Sequence, residues 1–209
     1  MRDHLVRILS KDGSLRAVAA DTSELTRTIC QMQGTDPTAT VALGRLVTGA
    51  ALMGALLKGA QRLALVVEGN GPLQRLHAET DAYGQVRGSV KNPLAELPPK
   101  ADRFDVAGAI GQAGFLHVVK DLGLKEPYRG MVQLYTSEVA EDLAYYLTTS
   151  EQVPSTVGLG VNLDETLAIA TAGGFLVQVM PGGDEALIEH LLPLCRRCIE
   201  IVINSLTHG

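Results

Sequence analysis

The residues with the most direct chemistry are Cys195-Arg196-Arg197-Cys198, two thiols separated by two arginines. A Cys-x-x-Cys pair can act as a dithiol redox couple, because neighbouring cations lower a thiol pKa and the thiolate is the reactive form. It can also supply half of a structural zinc site, which takes four ligands. Within one chain the other half is missing, since the only further cysteine is Cys30. His190 and His208 are not read as ligands, and a site shared across a dimer, two cysteines from each chain, is the metal arrangement that remains. No metal or other cofactor is expected in this chain. The plainer reading of Cys195 and Cys198 is packing, because both fall on an apolar helical stripe where burial removes reactivity as fast as arginines supply it.

Acid–base candidates are scattered. His77 and Glu79 share one parity of a strand-like segment and could form a pair, yet nothing nearby reads as a nucleophile or third partner. A solvated neighbour pair accounts for them. His117, Asp121 and Glu151 complete the candidates, and no motif spacing unites the five, so the chain is read as a non-enzyme. Gly69-x-Gly71 hints at a nucleotide loop, but no helix follows and the third glycine of the dinucleotide fingerprint is absent, which leaves a turn.

These residues need elements to place them, and the chain is organised around the stretch from Asp36 to Gly59. Asp36-Pro37 reads as an N-cap with proline at the first helical position, and Lys58-Gly59 as a cationic end with a glycine stop. Leu43, Leu46, Val47, Ala50, Met53 and Leu57 share one face, Gly44, Thr48, Ala51 and Ala55 form a small-residue stripe opposite, and Arg45 is the only charge inside. A helix apolar nearly all round belongs in a core. A membrane span of this length is disfavoured by Arg45 and by flanks without an aromatic belt.

Around this helix the pattern is of strands. His4 to Ser10 and Ser14 to Ala20 flank Asp12-Gly13, a hairpin signal. Asp21 and Glu24 then form an Asp-x-x-Glu variant of the capping box, opening a helix to about Gln33 with Leu25, Ile29 and Met32 inward; Cys30 in it reads as a small semi-buried apolar residue. Leu63–Glu68, Leu73–Thr80 and Gln85–Val90 make a meander with Leu76, Ala78, Val86 and Val90 on the buried parity. The proline- and glycine-rich stretch 91–114 reads as a long connection. Strands follow at Phe115–Lys120 and Tyr128–Tyr135, then a helix capped by Ser137 that turns Val139, Leu143, Tyr146 and Leu147 to one side. The last meander runs Ser155–Leu163, Leu167–Thr171 and Phe175–Met180, with a turn at Gly173-Gly174.

Beyond it, Gly182-Gly183-Asp184 caps an amphipathic helix to about Leu206, interrupted at Pro193. Its apolar stripe comprises Ile188, Leu191, Cys195, Cys198, Ile199, Val202 and Leu206, which must find a partner surface on its own domain or on a second chain. The fold class expected is α/β of the α+β type: mixed, mainly antiparallel meanders packed around a buried central helix, with this helical arm at the end.

Composition bounds the function. With 209 residues, 46% hydrophobic and 20% charged, the chain can bury one substantial core plus an appendage, and zero Trp with three Phe leaves packing to aliphatic residues. A net charge of −5 gives no electrostatic footprint for nucleic acid, so none is expected as a partner, and no membrane either. Three cysteines and an N-terminus that leads straight into strand sequence argue for a reducing, cytoplasmic setting.

Several blocks taken together resemble one family. Gly114-Phe115-Leu116-His117-Val118-Val119-Lys120-Asp121-Leu122-Gly123-Leu124-Lys125-Glu126-Pro127-Tyr128-Arg129-Gly130 resembles the central signature of the redox-regulated chaperones of the heat-shock protein 33 family. Glu141 to Leu147 followed by Ser150-Glu151-Gln152-Val153-Pro154-Ser155, Arg87-Gly88-Ser89-Val90, and Gly173 to Gln178 are similar to further family blocks, in order, over about Leu5 to Asp184. The resemblance implies an ATP-independent holdase that binds unfolding proteins, dimeric when active, with a core, a linker arm and a zinc domain whose cysteines occur as Cys-x-Cys and Cys-x-x-Cys. Oxidation of such thiolates would release the metal and the folding energy that it supplies. These 209 residues hold no Cys-x-Cys, so the zinc switch is expected to be absent.

The expected organisation is therefore a chaperone core over 1–181 and a linker arm over 182–209. Unfolded clients are the expected partners, together with a second copy of the chain through exchange of the arm about Gly182-Gly183 and Pro193. Ile188, Leu191, Ile199, Val202 and Leu206 are the client-binding or dimer-arm candidates, Cys195 and Cys198 the redox candidates, and Glu151 a dimer-contact candidate on the strength of the resemblance. The rival reading is a homodimerisation scaffold without client binding.

Overall fold

The Asp36-Pro37 signal is obeyed. Asp36 caps helix α2 (Pro37–Gly54) by accepting from Ala39 N–H at 2.8 Å, and fifteen of the helix's eighteen residues are buried. The computed structural model describes residues 2–100, 103–184 and 186. Helix α2 ends four residues before the expected Lys58. Leu56 N–H and Leu57 N–H bond back to Met53 and Gly54 in tightened turns, and Gly59 takes φ of 57°. Arg45 is placed by an ion pair with Glu138. No described helix is long and apolar enough to cross a membrane.

Two antiparallel sheets enclose α2. The first combines both ends of the described chain, in the order β1 (His4–Leu9), β2 (Leu15–Asp21), β9 (Ile169–Val179), β8 (Ser155–Leu163). The second has the order β5 (Val86–Val90), β4 (Arg75–Asp81), β3 (Arg62–Gly69), β6 (Gly114–Asp121), β7 (Tyr128–Gln133). The small residues of α2 let neighbours close in: a Cβ on Gly44 would meet Thr26 at 2.6 Å, one on Gly49 would meet Leu143 at 2.6 Å, and one on Gly54 would meet the Thr80 hydroxyl at 2.4 Å. Helices α1 (Ser23–Gln33) and α4 (Val139–Thr149) complete the core with Ile29, Val139, Leu143, Tyr146 and Leu147, so the α+β class with a buried central helix stands.

Several local expectations are corrected. The capping box at Asp21 and Glu24 does not form. Thr22 precedes α1 with its hydroxyl turned to Thr48 Oγ1 at 2.7 Å, Asp21 accepts from Ser23, and the first-turn amides of Glu24 and Leu25 donate to the carboxylate of Asp3 at 2.9 and 2.7 Å. A residue twenty positions upstream, brought close by β1, has taken the capping role. Met32 is not inward but 80% exposed, because the buried face is centred on Thr26, Ile29 and Cys30, and Met32 lies beyond its edge. Ser137 lies before the cap of α4 at φ of 62°, its hydroxyl donating to Gly111 O at 2.6 Å, and Glu138 holds the cap position.

The long connection contains a missed helix, α3 (Val106–Ile110), capped by Asp105 through Gly108 N–H. It packs so closely on the Gly69–Gly71 loop that a Cβ on Gly69 would sit 2.0 Å from Ile110 O. Those glycines therefore serve a turn and a backbone contact, as the turn reading requires. Gly173-Gly174 is not a turn: β9 runs straight through it, and Gly174 lets Gly158 O approach to 2.5 Å of where a Cβ would be. At the other end Asp184 Oδ1 accepts from Ala186 N–H at 2.9 Å. The arm stripe from Ile188 to Leu206, with Leu191, Ile199 and Val202, and the pair Cys195 and Cys198 lie outside the described residues.

Candidate functional site

Alternation in the five-stranded sheet turns Leu65, Val67, Leu76, Ala78, Leu116 and Val118 into the core, where β3 and β4 meet α2 and β6 meets α4. The opposite parity builds a face with an apolar centre and a charged margin. Its rows follow from register. Val66 lies between His77 on β4 and His117 on β6, with Met131 of β7 beyond His117; Ala64 lies between Glu79 and Val119, and Glu68 between Arg75 and Phe115. Val66, Val119 and Met131 line a depression of about 420 Å³ together with His117, Arg75 and Arg129. Phe115 and Met131 are 44% and 57% exposed, unusual values for large apolar side chains on one continuous sheet.

The margin is laced by ion pairs. Glu79 accepts from Arg87 Nε at 2.7 Å and meets His77 Nε2 at 3.3 Å, while Glu68 meets Arg75 Nε at 3.5 Å and His117 Nε2 at 3.7 Å. Burial lowers the His77 pKa from its ordinary value, outweighing the Glu79 carboxylate, with Arg75 and Arg87 adding to the lowering. The His77–Glu79 contact is therefore one of neutral imidazole with carboxylate at pH 7. The sequence pair is brought together, as a neighbour pair on a solvated face. Asp121 lies on the same parity opposite Arg62, at the strand end.

Glu151 is elsewhere, on the inner side. It is 18% exposed and ion-paired with Lys120 of β6, and its charge is felt by Arg16 of β2, so the residue spans the junction of the two sheets. Arg16 in turn donates to Gln178 Oε1 at 2.6 Å, and Gln178 donates to Ser155 Oγ at 3.1 Å. Tyr146, wholly buried with its hydroxyl against Gly130, has its pKa raised by burial and by Glu151. The five acid–base candidates thus divide between two sides of one sheet.

Cys30 is buried, its Sγ 3.8 Å from Thr40 O, and burial pushes the thiol up to about 11, which makes it an inert packing residue. Among the described residues no group of three or more metal-ligating side chains converges. The three cysteines do not fit a four-cysteine zinc site: one is a core thiol, and a single Cys-x-x-Cys supplies two ligands. Sequence reasoning missed the apolar centre, although Val66 and Val119 carried a signal, being apolar on the parity otherwise given to charges. It also missed the exposure of Leu5, Val6, Ile8 and Leu9 on the edge strand β1.

Comparison with known proteins agrees with the blocks quoted above. The family model described as Hsp33 protein matches residues 3–204. A 33 kDa chaperonin of Syntrophotalea carbinolica is 72% identical over 191 residues, covering 91% of this chain and 66% of that protein. One from Geobacter sulfurreducens is 56% identical over 190 residues, with 91% of this chain and 63% of that protein covered. The crystal structure of the 33 kDa chaperonin (heat shock protein 33 homolog) of Thermotoga maritima superposes with a TM-score of 0.83 at 39% identity, over 94% of this chain and 66% of that one. The chain thus spans a little under two thirds of the length of these relatives. With the fold, the blocks and the family model in agreement, the chain belongs to the Hsp33 protein family.

Proposed function

We propose that this chain is the core of an ATP-independent holdase chaperone that captures unfolding polypeptides on the outer face of the five-stranded sheet. The exposed Phe115 and Met131 beside the half-buried Val119, over a nearly covered Val66 and framed by ion pairs, are the observation that carries the reading. An unfolded segment brings apolar side chains in no fixed order, and an apolar floor with a polar rim rewards burial without demanding a sequence. The family membership and the relatives' printed name support the same activity. The reading needs no catalysis, no nucleic acid and no membrane, and places the protein in the cytoplasm.

The stripe of Ile188, Leu191, Ile199, Val202 and Leu206 is proposed as a second apolar surface, used for clients or for arm exchange in a homodimer, with Glu151 near the contact. Cys195 and Cys198 are kept as the redox pair to test, and no metal step is assigned to this chain. The scaffold reading draws on a different observation, the apolar edge of β1, which has no strand on its outer side among the described residues and could accept one from a second copy.

Light scattering of a chemically unfolded client diluted into buffer separates these readings, with the protein in reductant and again after peroxide and mild heating. Suppression in both conditions is the expected outcome. Suppression only after oxidation would assign redox sensing to a cysteine of this chain. Absence of suppression in both would overturn the holdase reading and leave the scaffold.

A further inference from the structure

We infer that His77 and His117 make client docking on this face depend on pH: the face takes apolar segments while both imidazoles are neutral and releases them as the imidazoles take up protons. The inference rests on the client-binding reading of the same face. Its basis is positional. The two histidines occupy one row of the sheet on either side of Val66, and Met131 continues the row beyond His117. Val66 itself is nearly covered, so a segment lying on Met131 and continuing along the row must cover His117 and abut His77.

The physical consequence follows from desolvation. Covering a neutral imidazole costs little, whereas covering an imidazolium strips water from a charge. An imidazole that the segment desolvates is harder to protonate in the bound state than in the free state, and affinity falls as pH drops into the range in which the imidazoles take up protons, for His77 below the ordinary 6.5. The charged neighbours have been placed by the fold. Around His77 stand Arg75 and Glu79 on β4, with Arg87 and Lys91 on the β5 side; around His117 stand Glu68 of β3, Arg129 of β7 and Arg75 across the depression. Glu68 and Glu79 favour the protonated forms and the cations oppose them. Both carboxylates already hold arginines, Glu68 with Arg75 and Glu79 with Arg87. The lowered pKa of His77 agrees with a site in which burial outweighs its carboxylate.

The test is a titration of the intact chain with a peptide of Leu, Val, Ser and Gly, rhodamine-labelled on its α-amino group and amidated at its C-terminus, so that no group in it titrates between about pH 5.5 and 8. Its dissociation constant, read by anisotropy, should rise on the order of tenfold from pH 8 to 5.5, the equivalent of one pKa unit of depression shared by the two histidines. His77→Gln and His117→Gln should each flatten the ratio of the two constants, and the double variant should abolish it. His4→Gln, on β1, should keep it. Histidine proton chemical shifts give a second reading, in which the peptide should lower both titration midpoints.

Peptide binding with a flat pH profile, or midpoints that the peptide does not move, would overturn the inference and leave the holdase reading standing. No binding at any pH by wild type would overturn both.

Discussion

The cap of α1 by Asp3 makes a quantitative prediction. Two first-turn amides, those of Glu24 and Leu25, donate to one carboxylate at 2.9 and 2.7 Å, and the carboxylate also faces the positive end of the helix dipole. Removal of an N-cap acceptor typically costs about 1 kcal/mol, and the charge at an exposed helix start adds about 0.3–1 kcal/mol. Asp3→Ala should therefore destabilise the protein by about 1.5 kcal/mol. At about 2–4 °C per kcal/mol for a chain of this size, the melting temperature should fall by about 3–6 °C. Asp3→Asn keeps an acceptor and loses the charge, so about half of the loss should return. Glu24→Ala removes an exposed ion pair with Arg27 and a first-turn charge but no cap acceptor, and should cost about 0.5 kcal/mol, well below the loss at Asp3. Thermal unfolding followed by circular dichroism, checked by urea midpoints at constant slope, measures all three. A loss at Glu24 equal to that at Asp3, or no shift at Asp3, would restore the local capping box and refute the distant cap.

Further outcomes follow from other sites. Gly174→Val should destabilise by about 1–3 kcal/mol or more in urea titration, because its Cβ would fall 2.5 Å from a backbone oxygen; a turn glycine in solvent would tolerate it. Lys120→Ala leaves Glu151 poorly solvated and unpaired, and should cost about 1–3 kcal/mol, more than Glu151→Gln, in the same assay. Native Cys30 should resist iodoacetamide at pH 8 and react on unfolding. Its thiol rises from 9.0 unfolded to about 11 folded, so its contribution is whole below pH 9 and is lost as pH climbs from 9 to 11, visible as a falling urea midpoint. Met131→Asp should weaken client capture several-fold with little change in melting temperature, since Met131 is more than half exposed.

Much of the fold was legible where one local rule dominated. Asp36-Pro37, the Asp12-Gly13 hairpin, the alternation of β4 and the stripe of α4 are decided by neighbours in sequence, and they survive in the structure. The misreadings share a different cause. Gly173-Gly174 carries a turn composition, but its glycines answer to Gly158 across the strand; Ser137 has a capping side chain already engaged by Gly111; and Asp3 caps a helix that it precedes by twenty residues. Each is a contact between segments distant in sequence, which no local window contains. The candidate face was half legible for the same reason. The parity of His77, Glu79 and Arg87 could be read, but the meeting of Val66 with Met131's row depends on β6 inserting between β3 and β7.

The order β1-β2-β9-β8 has a consequence for how the chain is made. The hairpin of β1 and β2 is synthesised well before β9, which among the described strands is the other partner of its inner strand β2. At about 5–20 residues per second, the roughly 150 residues between Asp21 and β9 take on the order of ten seconds or more to synthesise. For that interval β2 offers an unpaired edge, and α2 lacks the sheet that covers one of its sides. The nascent chain is then itself an unfolding client in the sense proposed for its partners, and its own production in the cell competes for the protection that the finished molecule would give.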